Sequence, residues 1–289
     1  MKKIGFVGVG MMGKSMVRNL MKHGFEVSIY ARNRAKVEDV IAEGAIFCES
    51  VAAVSKGQDA VITIVGFPKD VEEVYFGEGG ILANIPGGSY VIDMTTTSPK
   101  LDQRIAAEAE KLGIHALDAP VSGGVTGAAK GTLAIMVGGR KEDYEACLPV
   151  FEAMGENIVY EGPSGAGQHC KMANQIALAG TLASCCEALT YAKSVGLDPR
   201  TMMDTIRTGA AGSWQLSNSG YKMLDEDYAP GFFVEHYIKD LTLAAEELAD
   251  RGKDFPILDE VLSMYRELAE DGDGRLGTQA LIKVYEKKD

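Results

Sequence analysis

The chain has 289 residues, of which 46% are hydrophobic and 24% charged, and its formal net charge is -12. This length allows two domains, each with a sizeable core. An acidic chain repels phosphate backbones, so we expect no nucleic-acid binding by bulk charge.

The N-terminus leads directly into a strand and carries no apolar leader, which favours a cytoplasmic protein with reduced thiols. The five cysteines lack CxxC spacing and the four histidines are scattered, so no metal site is indicated. The most apolar stretch has too few consecutive apolar residues for a membrane span, and we expect no membrane association.

The first strand, residues 3–8, is followed at once by a GxGxxG turn and a helix over 14–23. In that context the glycines permit a tight turn and close approach of a pyrophosphate, which the helix N-terminus stabilises. The pattern therefore predicts a dinucleotide site. The residues expected to contact the cofactor here are Gly8, Gly10, Met11, Met12 and Gly13.

The second strand, residues 26–30, lacks the acidic residue that binds the ribose 2′-hydroxyl of NAD. Arg32 and Arg34 follow it instead, and a guanidinium group can pair with a 2′-phosphate. We therefore predict NADP as the cofactor, with NAD as the alternative.

Further apolar strands are predicted at 60–65, 90–94, 115–119, 133–137 and 157–160, alternating with helices. This alternation predicts an α/β Rossmann-type domain with a parallel sheet. The carboxyl ends of such strands face the ligand, which makes Val65, Thr95 and Thr96 candidate cofactor contacts. Ser98 is a candidate helix N-cap.

The loop Pro120–Gly127 contains Ser122, Gly123 and Gly124. Its hydroxyl group and uncovered backbone N–H groups could hold a small carboxylate. The alternative is an ordinary glycine-rich loop.

A long helix is predicted from Gln168 to Ser194, and every element after it is a helix. The expected organisation is a dinucleotide-binding Rossmann domain over residues 1–163, an interdomain helix over 164–194, and an all-helical substrate and oligomerisation domain over 195–289. Lys171, Asn174 and Gln175 can share one face of the long helix. A poorly solvated lysine there suits proton transfer, while a solvated lysine is the alternative.

Four features stand in a fixed order along the chain: the GxGxxG turn, Asp118–Gly124, the glycines of 162–167 leading to Lys171, and the Lys239-Asp240 pair, which alone would be a surface ion pair. Together they resemble the β-hydroxyacid dehydrogenase family, over the whole chain. The resemblance implies reduction of a short semialdehyde, of the 3-hydroxyisobutyrate, tartronate semialdehyde or succinic semialdehyde class, or the reverse oxidation.

The resemblance also implies roles for individual residues. Lys171 would be the general acid/base, and Ser122, Gly123 and Gly124 would hold the substrate carboxylate. Lys239 would close over nicotinamide and substrate, with Asp240 beside it at the cofactor, and Thr95 or Thr96 would contact the cofactor. The family places an Asn four residues after its lysine; here that position is Gln175 and the Asn is Asn174, so both are candidates. Arg32 matches an arginine of NADP-using members.

Two other functions stay open at this point. One is a decarboxylating enzyme similar to 6-phosphogluconate dehydrogenase, and the other is a non-catalytic dinucleotide-binding scaffold or sensor. Small residues on helical faces of the second half favour a homodimer or homotetramer.

Overall fold

The computed structural model describes residues 1–287. The chain forms two compact units, one comprising residues 1–171 and the other beginning at Met172.

The first unit is built on nine strands, in the order β3-β2-β1-β4-β5-β6-β8-β7, with β9 paired to β8. Strands β1 to β6 are parallel, β8 is antiparallel to β6 and β7, and β9 is parallel to β8. From β1 the chain first adds β2 and β3 on one side and then β4, β5 and β6 on the other, as in a doubly wound sheet. This strand order confirms the predicted Rossmann-type fold. The strands are β1 Lys3–Val7, β2 Glu26–Tyr30, β3 Ile46–Phe47, β4 Ala60–Thr63, β5 Tyr90–Asp93, β6 His115–Asp118, β7 Val121–Ser122, β8 Leu133–Gly139 and β9 Gly155–Gly162.

The central strands are apolar because the sheet is covered on both faces. All four residues of β4 are buried, and Ile4 and Phe6 of β1 are fully buried. Such continuous apolar runs are typical of parallel strands between helices. The helices that precede the long one are α1 Met11–Lys22, α2 Glu38–Ala42, α3 Val51–Ser55, α4 Pro68–Phe76, α5 Pro99–Lys111, α6 Gly124–Lys130 and α7 Lys141–Glu152.

The helix α8, Ala166–Ser194, has 29 residues and begins two residues before the predicted start. Five α-helices follow it in the described chain, which confirms an all-helical second half. The core there includes Tyr237 and Tyr265, both fully buried and packed edge to face with ring centroids 5.0 Å apart. These helices are α9 Pro199–Ile206, α10 Gly220–Leu224, α11 Val234–Ala249, α12 Pro256–Leu268 and α13 Ile282–Glu286.

Local details differ from the sequence-based predictions. The loop expected at 120–127 contains strand β7 and the start of α6; its many glycines conceal both elements, because they lower helix and strand propensity alike. Ser98 precedes α5, but its side chain makes no capping hydrogen bond. Ser98 is nevertheless the N-cap residue, as predicted, and Pro99 takes the first helical position, where its fixed φ suits a helix.

Within residues 1–287, none of the helices combines the length and the hydropathy that a bilayer crossing requires.

Candidate functional site

The turn between β1 and α1 is built for close contact. Gly8 has φ +102°, and a Cβ atom added there would lie 2.0 Å from the Ile64 carbonyl oxygen. A Cβ at Gly13 would lie 2.2 Å from the Gly8 oxygen, whereas one at Gly10 would meet no atom within 4 Å. The first N–H groups of α1 have no acceptor within the helix. The turn therefore fits a pyrophosphate lying against open backbone at Gly10.

The two arginines after β2 differ in their surroundings. Arg32 is 83% exposed, and its Nη1 atom lies 3.6 Å from a carboxylate oxygen of Asp70. Arg34 instead bonds Glu38 at 3.2 Å, and its guanidinium lies 5.1 Å from the centre of the Phe47 ring. An exposed pair as long as that of Arg32 is weak, so the Arg32 guanidinium can exchange Asp70 for another anionic partner.

Two of the predicted cofactor contacts are joined at the carboxyl edge of the sheet. The Val65 N–H donates to the Thr95 hydroxyl at 3.0 Å, and Thr95 is only 2% exposed. Thr95 thus holds the loop after β4 against the loop after β5. Thr96 follows Thr95 in the latter loop.

Three buried carboxyl groups lie below these loops. Asp93, Asp102 and Asp118 are 1%, 4% and 2% exposed. Asp93 accepts hydrogen bonds from the Thr63 hydroxyl at 2.7 Å and the Thr95 N–H at 3.0 Å. Burial raises the pKa of Asp93 to about 6, and burial together with the neighbouring Asp93 raises the pKa of Asp102 well above its ordinary value. We assign the proton to Asp102, because Asp93 has the two donors that favour its ionised form.

The first turn of α8 is fixed by this acidic cluster. The Gly165 and Gln168 N–H groups donate to the two oxygens of Asp118 at 2.7 and 3.1 Å. The side chain of Gln168, fully buried, donates to the Thr95 carbonyl at 2.7 Å and to Asp102 at 2.8 Å. Lys171 lies one turn further along α8 and is 7% exposed. The candidate base is therefore a buried lysine, contrary to the solvated alternative.

The predicted carboxylate loop has a defined place in the same unit. Ser122 belongs to β7 and pairs with Ala134 of β8, Gly123 has φ +129°, and Gly124 is the first residue of α6. Its binding role stays a prediction.

In the second unit, four predicted site residues form a chain of contacts. The Asn174 amide donates to Gln175 at 2.7 Å, and the Gln175 amide donates to Asp240 at 2.5 Å. The Lys239 ammonium lies 2.9 Å from the other Asp240 oxygen, with side chains 12% and 2% exposed. The expected surface ion pair is therefore buried, because α11 turns this pair toward α8 instead of solvent. Tyr237 adds a hydrogen bond to the Gln175 carbonyl at 2.9 Å.

The sequence motifs missed Gln168 and the acids Asp93 and Asp102. The available signal was weak: a carboxyl group at the end of an apolar strand, and a polar residue at the start of an apolar helix. Charged residues are rarely fully buried without a partner.

Comparison with known proteins gives matches to both halves of the chain. Residues 3–162 match a family model described as the NAD binding domain of 6-phosphogluconate dehydrogenase. Residues 165–285 match one described as NAD-binding of NADP-dependent 3-hydroxyisobutyrate dehydrogenase.

Individual relatives match over almost their full length. YkwC of Bacillus subtilis, an uncharacterized oxidoreductase, is 50% identical over 99% of both chains. The 2-hydroxy-3-oxopropionate reductase of Escherichia coli is 34% identical over 98% of this chain and 97% of its own. The structure of Mycobacterium tuberculosis 3-hydroxyisobutyrate dehydrogenase with L-serine is similar with a TM-score of 0.90 and 31% identity, covering 99% of each chain.

Proposed function

The chain belongs to the β-hydroxyacid dehydrogenase family, and from this premise we propose that it interconverts a short 3-hydroxy acid and its 3-oxo semialdehyde. It is an NAD(P)-dependent enzyme acting on a CH–OH group, which excludes the non-catalytic alternative. One observation carries the choice of carbon 3: 2-hydroxy-3-oxopropionate, 3-hydroxyisobutyrate and L-serine, in the names of the relatives, all carry oxygen on that carbon. A 4-oxo acid such as succinic semialdehyde is the second candidate.

Lys171 is proposed as the general acid/base. A bound nicotinamide supplies the hydride to the carbonyl carbon in reduction and accepts it in oxidation. The Lys171 Nζ atom donates a proton to the carbonyl oxygen, which becomes the hydroxyl group, and takes it back in the reverse direction. The burial of Lys171 supports this role, because a proton donor screened from water transfers to a positioned acceptor rather than to solvent.

Ser122 and the N–H groups of Gly123 and Gly124 are proposed to hold the substrate carboxylate. Of the two amides after Lys171, Asn174 is proposed to contact the substrate. Both ends of the Gln175 amide are already engaged, with Asn174 and Asp240. Gln175 and Asp240 then hold Asn174 and Lys239 in place, and Lys239 remains the proposed contact to substrate and cofactor.

The cofactor is proposed to be NADP. Replacing Arg32 with alanine should raise the KM for NADPH about 10-fold or more while leaving that for NADH within about 2-fold, since a charge-assisted bond to phosphate contributes ~1.5–3 kcal/mol. Steady-state kinetics with both cofactors measure this. Arg34→Ala is the matched control, because Arg34 already bonds Glu38. An equal loss with both cofactors would remove the support for NADP.

The direct test of the reaction is a substrate panel. Purified protein with NADP or NAD is assayed separately with 3-hydroxyisobutyrate, L-serine, glycerate and 4-hydroxybutyrate. Reduction of the cofactor is followed at the nicotinamide absorbance band. We expect a 3-hydroxy acid to give a kcat/KM at least about 10-fold above that of 4-hydroxybutyrate. Preference for 4-hydroxybutyrate would favour the second candidate. Release of CO₂ during turnover would instead indicate a decarboxylating enzyme.

A homo-oligomer is also proposed. The second unit exposes several large apolar side chains, and apolar surface of this kind is typical of subunit contacts. Light scattering coupled to gel filtration gives the number of subunits. These side chains are Tyr191, Val195, Leu197, Trp214 and Ile257.

A further inference from the structure

Both N–H groups and the carbonyl oxygen of the Gln168 side chain form hydrogen bonds inside the first unit. Its Nε2 atom donates to the Thr95 carbonyl at 2.7 Å and to Asp102 at 2.8 Å. Its Oε1 atom accepts from the Thr97 N–H at 3.1 Å. A side-chain amide offers two N–H donors and a carbonyl acceptor, so a glutamine matches these three partners. A glutamate would place an oxygen against two acceptors.

The backbone around Gln168 is held equally closely. A Cβ atom added at Gly167 would lie 2.3 Å from the Met136 carbonyl oxygen and 2.9 Å from that of Asp118. The first turn of α8 therefore packs directly on the end of β6 and the middle of β8. Because a helix is rigid over one turn, fixing its first turn also fixes the position of Lys171, one turn further along.

We propose that Gln168 is a positioning residue for Lys171, tying the loop that bears Thr95 and Thr96 to the helix that bears the base. One amide thus sets the distance between a predicted cofactor loop and the proton donor. This inference rests on the proposed role of Lys171. It assigns a role to Gln168, a residue to which the sequence motifs give no function.

The reason for expecting a catalytic consequence is geometric. Displacing a reacting group by about 1 Å can cost on the order of 100-fold in rate. Removing the amide frees the Thr95 carbonyl and Thr97 N–H from α8, and the helix start can then shift against the loop. Asp118 still caps α8 through Gly165, so the helix itself is retained.

A double-mutant cycle tests this. Gln168→Met keeps the side-chain length but removes all three hydrogen bonds, and we expect it to lower kcat about 10- to 100-fold with the KM for NADPH within about 3-fold. In the Lys171→Ala background the same change should alter kcat by less than about 2-fold, since a residue acting through Lys171 has nothing left to position.

Two further variants complete the experiment. Gln103→Met is the matched control, because Gln103 is an exposed glutamine that also contacts the segment before α8, at Ser164; it should leave kcat within about 2-fold. Gln168→Asn keeps an amide but is one methylene too short, and should show the same dependence on Lys171 if Gln168→Met does not fold.

The outcomes separate the two proposals. An equal loss of kcat in both backgrounds, or no loss beside an intact Lys171, would overturn the positioning role while leaving Lys171 as the base. Full turnover by Lys171→Ala alone would overturn both.

Discussion

Replacing Lys171 with alanine is expected to lower kcat about 10²- to 10⁴-fold, the range for loss of a general acid. The residue is 7% exposed on α8 and is the proton donor that we propose. In the proposed mechanism, loss of its ammonium leaves the carbonyl oxygen without a positioned proton donor as negative charge develops there. Steady-state kinetics in both directions, with a separate measurement of the dissociation constant for NADPH, distinguish lost chemistry from lost cofactor binding.

A second lysine on the same helix provides the control. Lys193 lies near the C-terminal end of α8 and bonds Glu286 at 2.6 Å, with 46% of its side chain exposed. Lys193→Ala should leave kcat within about 2-fold. Turnover at the wild-type rate by Lys171→Ala would remove the general acid from the mechanism.

Replacing Asp102 with asparagine is expected to stabilise the folded protein at alkaline pH. An acid whose pKa is raised by folding binds more protons in the folded than in the unfolded chain, so stability falls as pH rises from about 4 toward the folded pKa. The pKa of Asp102 is raised by burial and by Asp93. Asparagine resembles the protonated acid and removes this penalty, which is about 1.4 kcal/mol for each pKa unit.

The contact geometry supports this substitution. In the described chain the Oδ2 atom of Asp93 is buried without a conventional hydrogen-bond donor, and the amide introduced by Asp102→Asn could serve in place of the acid proton. The oxygen of that amide can still accept from Gln168. Urea unfolding at several pH values should show the variant gaining stability over the wild type as pH rises above about 4.

An exposed acid gives a control of opposite sign. The pKa of Asp39 is lowered by hydrogen bonds from Lys14 and Arg18, so this carboxylate contributes stability above its unfolded pKa that is lost as pH falls through its folded pKa. Asp39→Asn should therefore lose stability relative to the wild type as pH rises from about 2 to 5. An Asp102→Asn variant with a pH-independent stability difference would show that Asp102 is ionised in the folded protein.

Features set by local sequence were predictable. The GxGxxG turn, the apolar strand β4 and the long apolar helix α8 each follow from a periodicity or a turn requirement within a few residues. A serine before a helix is a typical N-cap, and at the start of α3 the Ser50 hydroxyl accepts from the Ala53 N–H at 3.1 Å. The fold class follows from the alternation of these elements.

Features that depend on contacts between distant segments of the chain could not be predicted from the sequence. Asp93, Asp102 and Gln168 are separated by long stretches of chain and come together only because β5, α5 and α8 meet at one edge of the sheet. The burial of Lys239 with Asp240 depends likewise on how α11 packs. The helix α6 was concealed by its glycines, because packing against α1 and β8 compensates for its low propensity.

The division of the chain after Lys171 has an evolutionary consequence. The proposed proton donor, Lys171, belongs to the first unit and follows the turn of α8 that Gln168 and Asp118 anchor, whereas Asn174, Gln175 and Lys239 belong to the helical unit. If Asn174 and Lys239 contact the substrate as proposed, mutations in the helical half change which acid is accepted without altering the anchor of the proton donor. A lineage with this arrangement can diversify its substrates while keeping its reaction.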